Sequence, residues 1–319
     1  MGGSERSGLL FAALCALNGA FVPAVAKLTT GRGDPFFVAA VTTLFAGGAA
    51  AAVLGVRGDL GALARRGSAA LLVLIGALGT ALPFLLFFLG TSRTSAIDAV
   101  LCLQTEPVYS LLLAWLVLGH RLTVRRVGSA AVLLAGIALA VGTGRRADTL
   151  GLAMLLATPL CWQLSHLVVL RRLRGVSPGI LTGARYVYGG VILAPTAAAL
   201  GGAAALPDAA SLAAQLPVLA LQGMVLSYVG TNLWYQAITR LDLSRATSIV
   251  VPSIPLLSLG ASFLIVGEVP TLRQAAGMLL TASGVLSFVL APHAVEALER
   301  VPTQTAPLGA EAEPGGDEA

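Results

Sequence analysis

Residues 67–92 read GSAALLVLIGALGTALPFLLFFLGTS, a stretch of 26 residues without a single Asp, Glu, Lys or Arg. A helix needs roughly 20 apolar residues to cross the hydrocarbon core of a bilayer. A helix of this length on the surface of a soluble domain would carry charged residues on its exposed face. The stretch therefore predicts a membrane-spanning helix.

The same pattern recurs along the whole chain. Nine charge-free stretches reach eighteen residues or more, and a tenth apolar segment, 97–118, is interrupted only by Asp98 and Glu106. The seventh span is predicted to begin near Pro178, which places Arg185 inside it. We therefore predict an all-α integral membrane protein with ten transmembrane helices. The nine charge-free stretches are 7–26, 35–56, 67–92, 127–144, 149–170, 186–207, 209–239, 246–267 and 274–295.

Composition and charge are consistent with lipid as the solvent. Only 11% of the 319 residues are charged, against roughly 25% in soluble chains. If the N-terminus lies in the cytoplasm, thirteen Lys and Arg residues fall on the cytoplasmic side and six outside, with Arg185 inside the membrane. Because cytoplasmic loops are enriched in Lys and Arg, both termini are predicted to be cytoplasmic. The positive excess is thus assigned to loops and not to a nucleic-acid partner.

The two halves of the chain repeat each other. At an offset of 148 residues Pro107 aligns with Pro255 and Gly119 with Gly267, and eight of the thirty positions in 107–136 are identical. Each repeat holds five spans, and because five is odd the second repeat enters the membrane from the opposite side. Inverted repeats are frequent in secondary transporters. Duplication without transport is the alternative.

These motifs resemble those of a known family. The segment from Glu106-Pro107 through Gly119 to Leu122-Thr123, and its copy Gly267-Glu268 with Thr271, resemble the signatures of EamA-type transporters of the drug/metabolite transporter (DMT) superfamily. The resemblance implies two repeats around a central cavity and the export or exchange of amino acids, other metabolites or drugs. The expected organisation is a cytoplasmic N-terminus (1–7), a first five-helix repeat (8–143), a linker (144–149), a second repeat (150–291) and a disordered acidic cytoplasmic tail (292–319).

The sequence departs from the family pattern at two positions. His120 stands where an acidic residue commonly follows the Gly, whereas Glu268 retains the acid. Arg185 lies early in the seventh helix, and its counterpart in the second helix is near Thr42. The two repeats are therefore not expected to use these positions symmetrically.

Glu106 is the acidic residue predicted to lie deepest in a span. Ionisable groups at membrane depth are costly and need a partner, a wet cavity or the interface. Glu106 is a candidate for the substrate cavity and for proton coupling, with a structural carboxyl as the alternative. Pro107 is predicted to kink the helix beside it. Asp98 is the second coupling candidate, although hydration near the external end is favoured for it.

Two basic residues within spans are candidates for the cavity. Arg185 could bind an anionic group such as a carboxylate, but its side chain is expected to reach toward the cytoplasmic interface. His166 could accept a proton, with hydrogen bonding to a neighbouring helix as the alternative.

Uncharged polar residues complete the predicted cavity. Tyr228 and Asn232 lie in the eighth span and could orient a polar or flat substrate, with interhelical hydrogen bonding as the alternative. Asn18 and Trp162 align at an offset of 144 residues, so they are candidate wall positions related by the repeat. Pro252 and Pro255 are predicted to kink the ninth helix.

The sequence thus predicts a secondary active or facilitative transporter that exports a small metabolite or drug across the cytoplasmic membrane by alternating access. A membrane-embedded enzyme is the main alternative, but no zinc-protease, nucleophile-elbow or phosphate-loop motif is present. A purely structural protein would have little use for polar residues in several spans. The expected partners are the substrate, the lipid bilayer and protons as coupling ion, and a homodimer is left open. Neither a metal nor a cofactor is predicted, because Cys15, Cys102 and Cys161 lack partners at ligand spacing.

Overall fold

The polypeptide forms ten helical rods, α1 to α10, in a computed structural model that describes residues 3–119, 122–141, 148–202, 206–238, 240–241 and 243–290. A short 3₁₀ helix, Leu60–Ala64, lies between α2 and α3, and within the described ranges no β-strand occurs. The rods are α1 (Gly3–Thr30), α2 (Pro35–Val56), α3 (Ala69–Arg93), α4 (Ala96–Leu103 and Glu106–Leu118), α5 (Val124–Ala140), α6 (Thr149–Arg172), α7 (Pro178–Gly201), α8 (Ala209–Ala220, Leu221–Val229 and Gly230–Ile238), α9 (Leu243–Val266) and α10 (Leu272–Val289).

Eight of these rods are long and apolar enough to cross a membrane. The two rods that do not meet these criteria are α5 and α7. The rod α5 has 17 residues, which is at the lower limit of the length that can span. The rod α7 begins at Pro178, as the sequence predicted, and therefore contains Arg185. His120, the tail 292–319 and residues 144–147 of the predicted linker lie outside the described residues.

Polar residues in the loops fix where the helices begin. Asp148 accepts a hydrogen bond from the Gly151 N–H at 2.8 Å, so it caps α6. Thr271 and Gln274 form a reciprocal capping box at the start of α10. Such residues satisfy backbone N–H groups that the first helical turn leaves without a partner. Asp34, Ser95, Thr123, Ser177 and Asp208 cap α2, α4, α5, α7 and α8 in the same way.

Helix packing follows the repeat. Helices five apart in number are equivalent in the two repeats, so α1 corresponds to α6, α2 to α7 and α3 to α8. Exchanging equivalent helices converts the α3–α7 contact into the α8–α2 contact, and the α3–α6 contact into the α8–α1 contact. The pairs α2–α7 and α5–α10 convert into themselves. This exchange of equivalent contacts is the pattern that two similar halves related by a two-fold axis would give.

The last helices of the two halves approach each other at glycines. A Cβ atom placed on Gly136 of α5 would lie 2.5 Å from the backbone nitrogen of Thr281 in α10. A Cβ atom on Gly284, which aligns with Gly136, would lie 2.5 Å from the Leu133 nitrogen. Small residues allow helix backbones to pack closely within a membrane. The α5–α10 contact therefore depends on the absence of side chains.

Both halves contain a π-helical segment in their third helix. Residues Ala77–Ala81 of α3 and Leu221–Val229 of α8 have this geometry, and the two segments begin 144 residues apart. The same offset aligns Gly79 with Gly223. Gly79 packs against α7 and Gly223 packs against α2, so the segments occupy equivalent places in the two halves.

The fourth helices of the two halves differ. In α4 the helix is interrupted at Gln104 and Thr105, immediately before Glu106 and Pro107. Pro107 has no N–H to donate to the carbonyl four residues earlier, and the helix is interrupted just before the position where a kink was predicted.

The helix α9 instead continues from Leu243 to Val266 through Pro252 and Pro255, so these two prolines do not interrupt their helix. Each proline removes a single donor, and α9 is supported along its length by packing against α1. One such contact is the hydrogen bond that the Ser258 hydroxyl donates to the Ala20 carbonyl at 3.1 Å.

Candidate functional site

A cluster of polar side chains lies where α3, α4, α6 and α7 meet. Its best-defined contact joins the α4 break to α6. The Gln163 amide nitrogen donates a hydrogen bond of 2.8 Å to an oxygen of the Glu106 carboxyl group. Because Glu106 is the first residue after the break, the interruption of α4 determines where its side chain begins. The carboxyl group is therefore held by a neighbouring helix and does not point toward lipid.

Arg185 lies close to this pair and is bound to α3. Its Nη2 atom donates a 2.7 Å hydrogen bond to the carbonyl oxygen of Gly79, near the middle of α3. The expectation that Arg185 reaches the cytoplasmic interface is therefore wrong. Gly79 has no side chain to block the approach: a Cβ atom there would lie 2.8 Å from Nε of Arg185 and 2.7 Å from Oγ of Ser165.

The Arg185 guanidinium is the basic group of the cluster. Its charge acts on the Glu106 carboxyl, the His166 imidazole and the Tyr186 hydroxyl. These groups come from three different helices, α4, α6 and α7, and the Arg185 hydrogen bond to the Gly79 carbonyl adds α3 to the cluster. The structure thus brings together three candidates that are far apart in sequence, Glu106, His166 and Arg185.

One face of α6 is directed at this junction. Ser165 donates a hydrogen bond of 3.5 Å to the Ile75 carbonyl of α3, and Gln163 reaches α4. Trp162 and His166 lie between them in helical projection, since successive residues are about 100° apart on an α-helix. The Trp162 indole nitrogen is buried and has no hydrogen-bond acceptor among the described residues.

An aromatic group borders the cluster on the α8 side. The ring of Tyr186 makes edge-to-face contacts with Phe84 and Tyr228, at centroid distances of 6.3 and 6.2 Å. The Tyr186 hydroxyl lies 2.9 Å from the Thr231 hydroxyl and donates to the Ser227 carbonyl at 3.1 Å. Tyr228 is thus placed beside the cluster through Tyr186, a residue that the sequence analysis did not single out.

The two asparagine candidates make contacts between or within helices. Asn18 donates from its amide nitrogen to the Leu226 carbonyl at 2.9 Å and packs on Gly230, so it joins α1 to the π segment of α8. Asn232 donates to the Tyr228 carbonyl of its own helix at 2.9 Å. Both amide nitrogens therefore already have acceptors in this structure.

Asp98 lies away from the cluster, in the first turn of α4. Asp98 is completely buried, and its backbone N–H donates a hydrogen bond to the Ser95 hydroxyl at 2.9 Å. The expectation that water surrounds it is therefore wrong, because α1, α6 and α9 pack around this end of α4.

The N-terminal end of α4 is held by the second repeat. The Glu268 carboxylate accepts hydrogen bonds from the backbone N–H groups of Ala96 and Ile97, at distances from 3.0 to 3.3 Å. The acidic residue after the second Gly motif therefore caps a helix of the first repeat. In the described ranges, no group of three or more His, Cys, Asp or Glu side chains could hold a metal ion.

Comparison with known proteins identifies the family. No curated protein sequence matches the chain. A solved structure described only as "Crystal structure of protein" has a TM-score of 0.62 at 21% identity, over 92% of this chain and 99% of that one, and it supports the fold alone. The model of the EamA-like transporter family matches twice, over residues 6–142 and 149–290. The resemblance found in the sequence is thereby confirmed, and the chain belongs to the EamA-like transporter family of the DMT superfamily.

Proposed function

We propose that the protein exports a small polar metabolite or drug across the cytoplasmic membrane by alternating access. The ten rods act as ten spans in two inverted five-helix repeats, with both termini in the cytoplasm. The observation that carries this proposal is the polar junction of Glu106, Gln163 and Arg185 in a family of transporters. Ionisable groups within spans are energetically costly and rare, and those that occur commonly mark a substrate or ion path.

The position of the junction supports a site between the repeats. Glu106 and the Gly79 carbonyl belong to the first repeat, whereas Gln163 and Arg185 belong to the second. Movement of one repeat against the other would change both hydrogen bonds. A substrate bound there would be sensitive to that movement, as alternating access requires.

The difference between α4 and α9 supports the alternating step. Ser258 of α9 is buried and bonded to Ala20, whereas Ser110, which aligns with it at an offset of 148, is exposed. Equivalent helices therefore occupy unequal environments. In our proposal the two helices exchange these environments when access changes from one side of the membrane to the other.

Coupling to protons is assigned to Glu106, with Asp98 as the second candidate. Glu106 adjoins the α4 break, so a change in the break would change its surroundings. It also lies within the field of Arg185, which links its charge state to the substrate site.

The topology can be tested with reporter fusions. Fusions after Arg66, Arg126 and Arg174 should report the cytoplasm, and fusions near Asp34 and Asp208 should report the outside. A C-terminus outside the cell would contradict the even number of spans and the inverted repeat together. Fusions on both sides of α5 and of α7 decide whether these two rods cross the membrane.

Transport itself is tested by comparing metabolites. Cells with and without expression are compared for metabolites in the medium, and each compound that accumulates is then tested for flux from liposomes containing purified protein. Substrate-specific flux that protein-free liposomes lack is the expected result. Folded protein with no flux for any accumulated compound would favour a structural protein or an enzyme.

A further inference from the structure

The polar junction contains two buried hydrogen-bond donors without acceptors. Nε of Arg185 and the indole nitrogen of Trp162 are both buried, and neither has an acceptor in the described part of the chain. A buried donor without an acceptor loses its hydration without compensation. Such groups in a native site call for an explanation, and an absent ligand with acceptor atoms is one.

The two donors belong to the same junction. Nε of Arg185 lies beside Gly79 and Ser165, since a Cβ atom on Gly79 would be within 2.8 Å of Nε and 2.7 Å of the Ser165 hydroxyl. Trp162 is three residues before Ser165, and residues at this spacing share a helix face. Trp162 therefore lies on the same side of α6 as Ser165, which faces Gly79 and Arg185.

The charge at the junction is not balanced by an ion pair. Among the described residues, Arg185 makes no salt bridge, and its one hydrogen bond to protein goes to a neutral carbonyl. The Glu106 carboxyl, which lies within the field of Arg185, is held by Gln163 and forms no ion pair with the guanidinium. An unpaired guanidinium at this depth is costly. An anion beside it would supply both the missing charge and the missing acceptors.

We propose that Arg185 and Trp162 bind a carboxylate group of the transported molecule, so that the substrate is a small carboxylate-bearing metabolite. A carboxylate offers two acceptor oxygens in one plane, which matches the planar donors of a guanidinium. The indole N–H supplies a further donor to the same group. This inference rests on the proposed transport function and narrows its substrate class.

The test compares matched probes on the full-length protein in lipid nanodiscs. Butyrate, butyramide and butylamine form one set, and phenylacetate, phenylacetamide and phenethylamine form a larger one. Dissociation constants are measured by calorimetry, with melting temperature as a second readout. We expect each carboxylate to bind at least about tenfold more tightly than its amide, since hydrogen bonds to charged groups are the stronger ones. The amines should bind most weakly.

Three variants identify the donors. Arg185→Gln should weaken carboxylate binding about 10- to 100-fold and leave amide binding unchanged. Trp162→Phe keeps an aromatic ring without the N–H and should weaken carboxylate binding roughly three- to tenfold. Arg57→Gln, an exposed arginine at the end of α2, is the matched control and should change neither.

Several results would overturn the inference. Equal binding of carboxylate and amide by the unmodified protein would do so, as would no carboxylate binding in either set. If Arg185→Gln does not fold, Arg185→Lys replaces it, because lysine keeps the charge but not the planar donors. An unchanged preference for carboxylate over amide in both Arg185→Lys and Trp162→Phe would overturn the inference. Carboxylate binding without flux in liposomes would instead contradict the transport proposal alone, whereas Arg185-independent flux of a substrate without a carboxylate would contradict only this inference.

Discussion

Replacing Gly136 by Ala should separate the last helices of the two repeats. The added Cβ atom would lie 2.5 Å from both the backbone nitrogen and the hydroxyl of Thr281, and 2.7 Å from the Gly277 carbonyl. Ordinary contact distances begin at 3.4 Å. Because two of these three atoms belong to the α10 backbone, a change of rotamer cannot relieve the overlap, and the helices must move apart by about 1 Å at this point.

The expected loss of stability follows from two opposing effects. Overpacking of a well-packed contact costs about 1–3 kcal/mol, whereas Ala is favoured over Gly in a helix by up to about 1 kcal/mol. The same clash recurs at Gly284, so the interface cannot shift there without further overlap. We therefore expect Gly136→Ala to lower the free energy of unfolding by about 2 kcal/mol.

Gly128 in the same helix provides the control. No atom lies within 4 Å of a Cβ atom placed there. Gly128→Ala should therefore leave stability unchanged or raise it by up to about 1 kcal/mol. Both variants are unfolded by titration with denaturing detergent from mixed micelles and followed by circular dichroism. If Gly136→Ala proves as stable as Gly128→Ala, the close backbone contact between α5 and α10 is refuted.

Three further predictions concern acidic residues. Glu106→Gln keeps the shape of the side chain but removes its titration, so the protein should fold while substrate flux in liposomes loses its response to an imposed pH gradient; an unchanged response would remove Glu106 from the coupling step. Glu268→Ala takes away the carboxylate that caps α4 and should cost on the order of 1 kcal/mol in unfolding titrations, with Glu268→Gln losing less; equal stability of all three proteins would count against the cap. The Gly151 N–H and the Arg93 guanidinium hold the pKa of Asp148 below its usual range, so its contribution is present above about pH 4 and is lost as pH falls through the lowered pKa. Asp148→Asn should therefore be less stable than the unmodified protein at neutral pH, and the difference should shrink as the pH falls; a stability difference that does not change with pH would contradict this assignment.

Local sequence patterns were sufficient to predict most of the fold. Helix positions follow from charge-free length, because backbone groups in lipid must be satisfied within a helix. The start of α7 at Pro178 follows from proline chemistry, whereas the break of α4 before Pro107 needs its packing as well, since Pro252 and Pro255 leave α9 uninterrupted. The start of α7 depends on residues within a few positions of it, which is why the sequence could predict it.

The site was predicted less well, because its contacts join distant helices. Glu106 was predicted to be the acidic residue deepest in a span, but its partner Gln163 depends on how α4 packs on α6. Arg185 was expected to reach the interface, since nothing in the sequence shows that Gly79 offers a carbonyl beside it. Asp98 was placed near the end of its helix correctly, yet the helices around that end exclude water.

The paired π segments bear on the history of the chain. A π turn accommodates one more residue than an α turn, so a single inserted residue can create it in a helix. The segments begin 144 residues apart, at equivalent places in both halves. One insertion in an ancestral five-helix unit, before its gene was duplicated, explains both without coincidence. Glu106 and Arg185, in contrast, have no ionisable counterpart in the other half. On this account the irregular frame would predate the duplication, and the charges present in only one half would record how the two copies diverged.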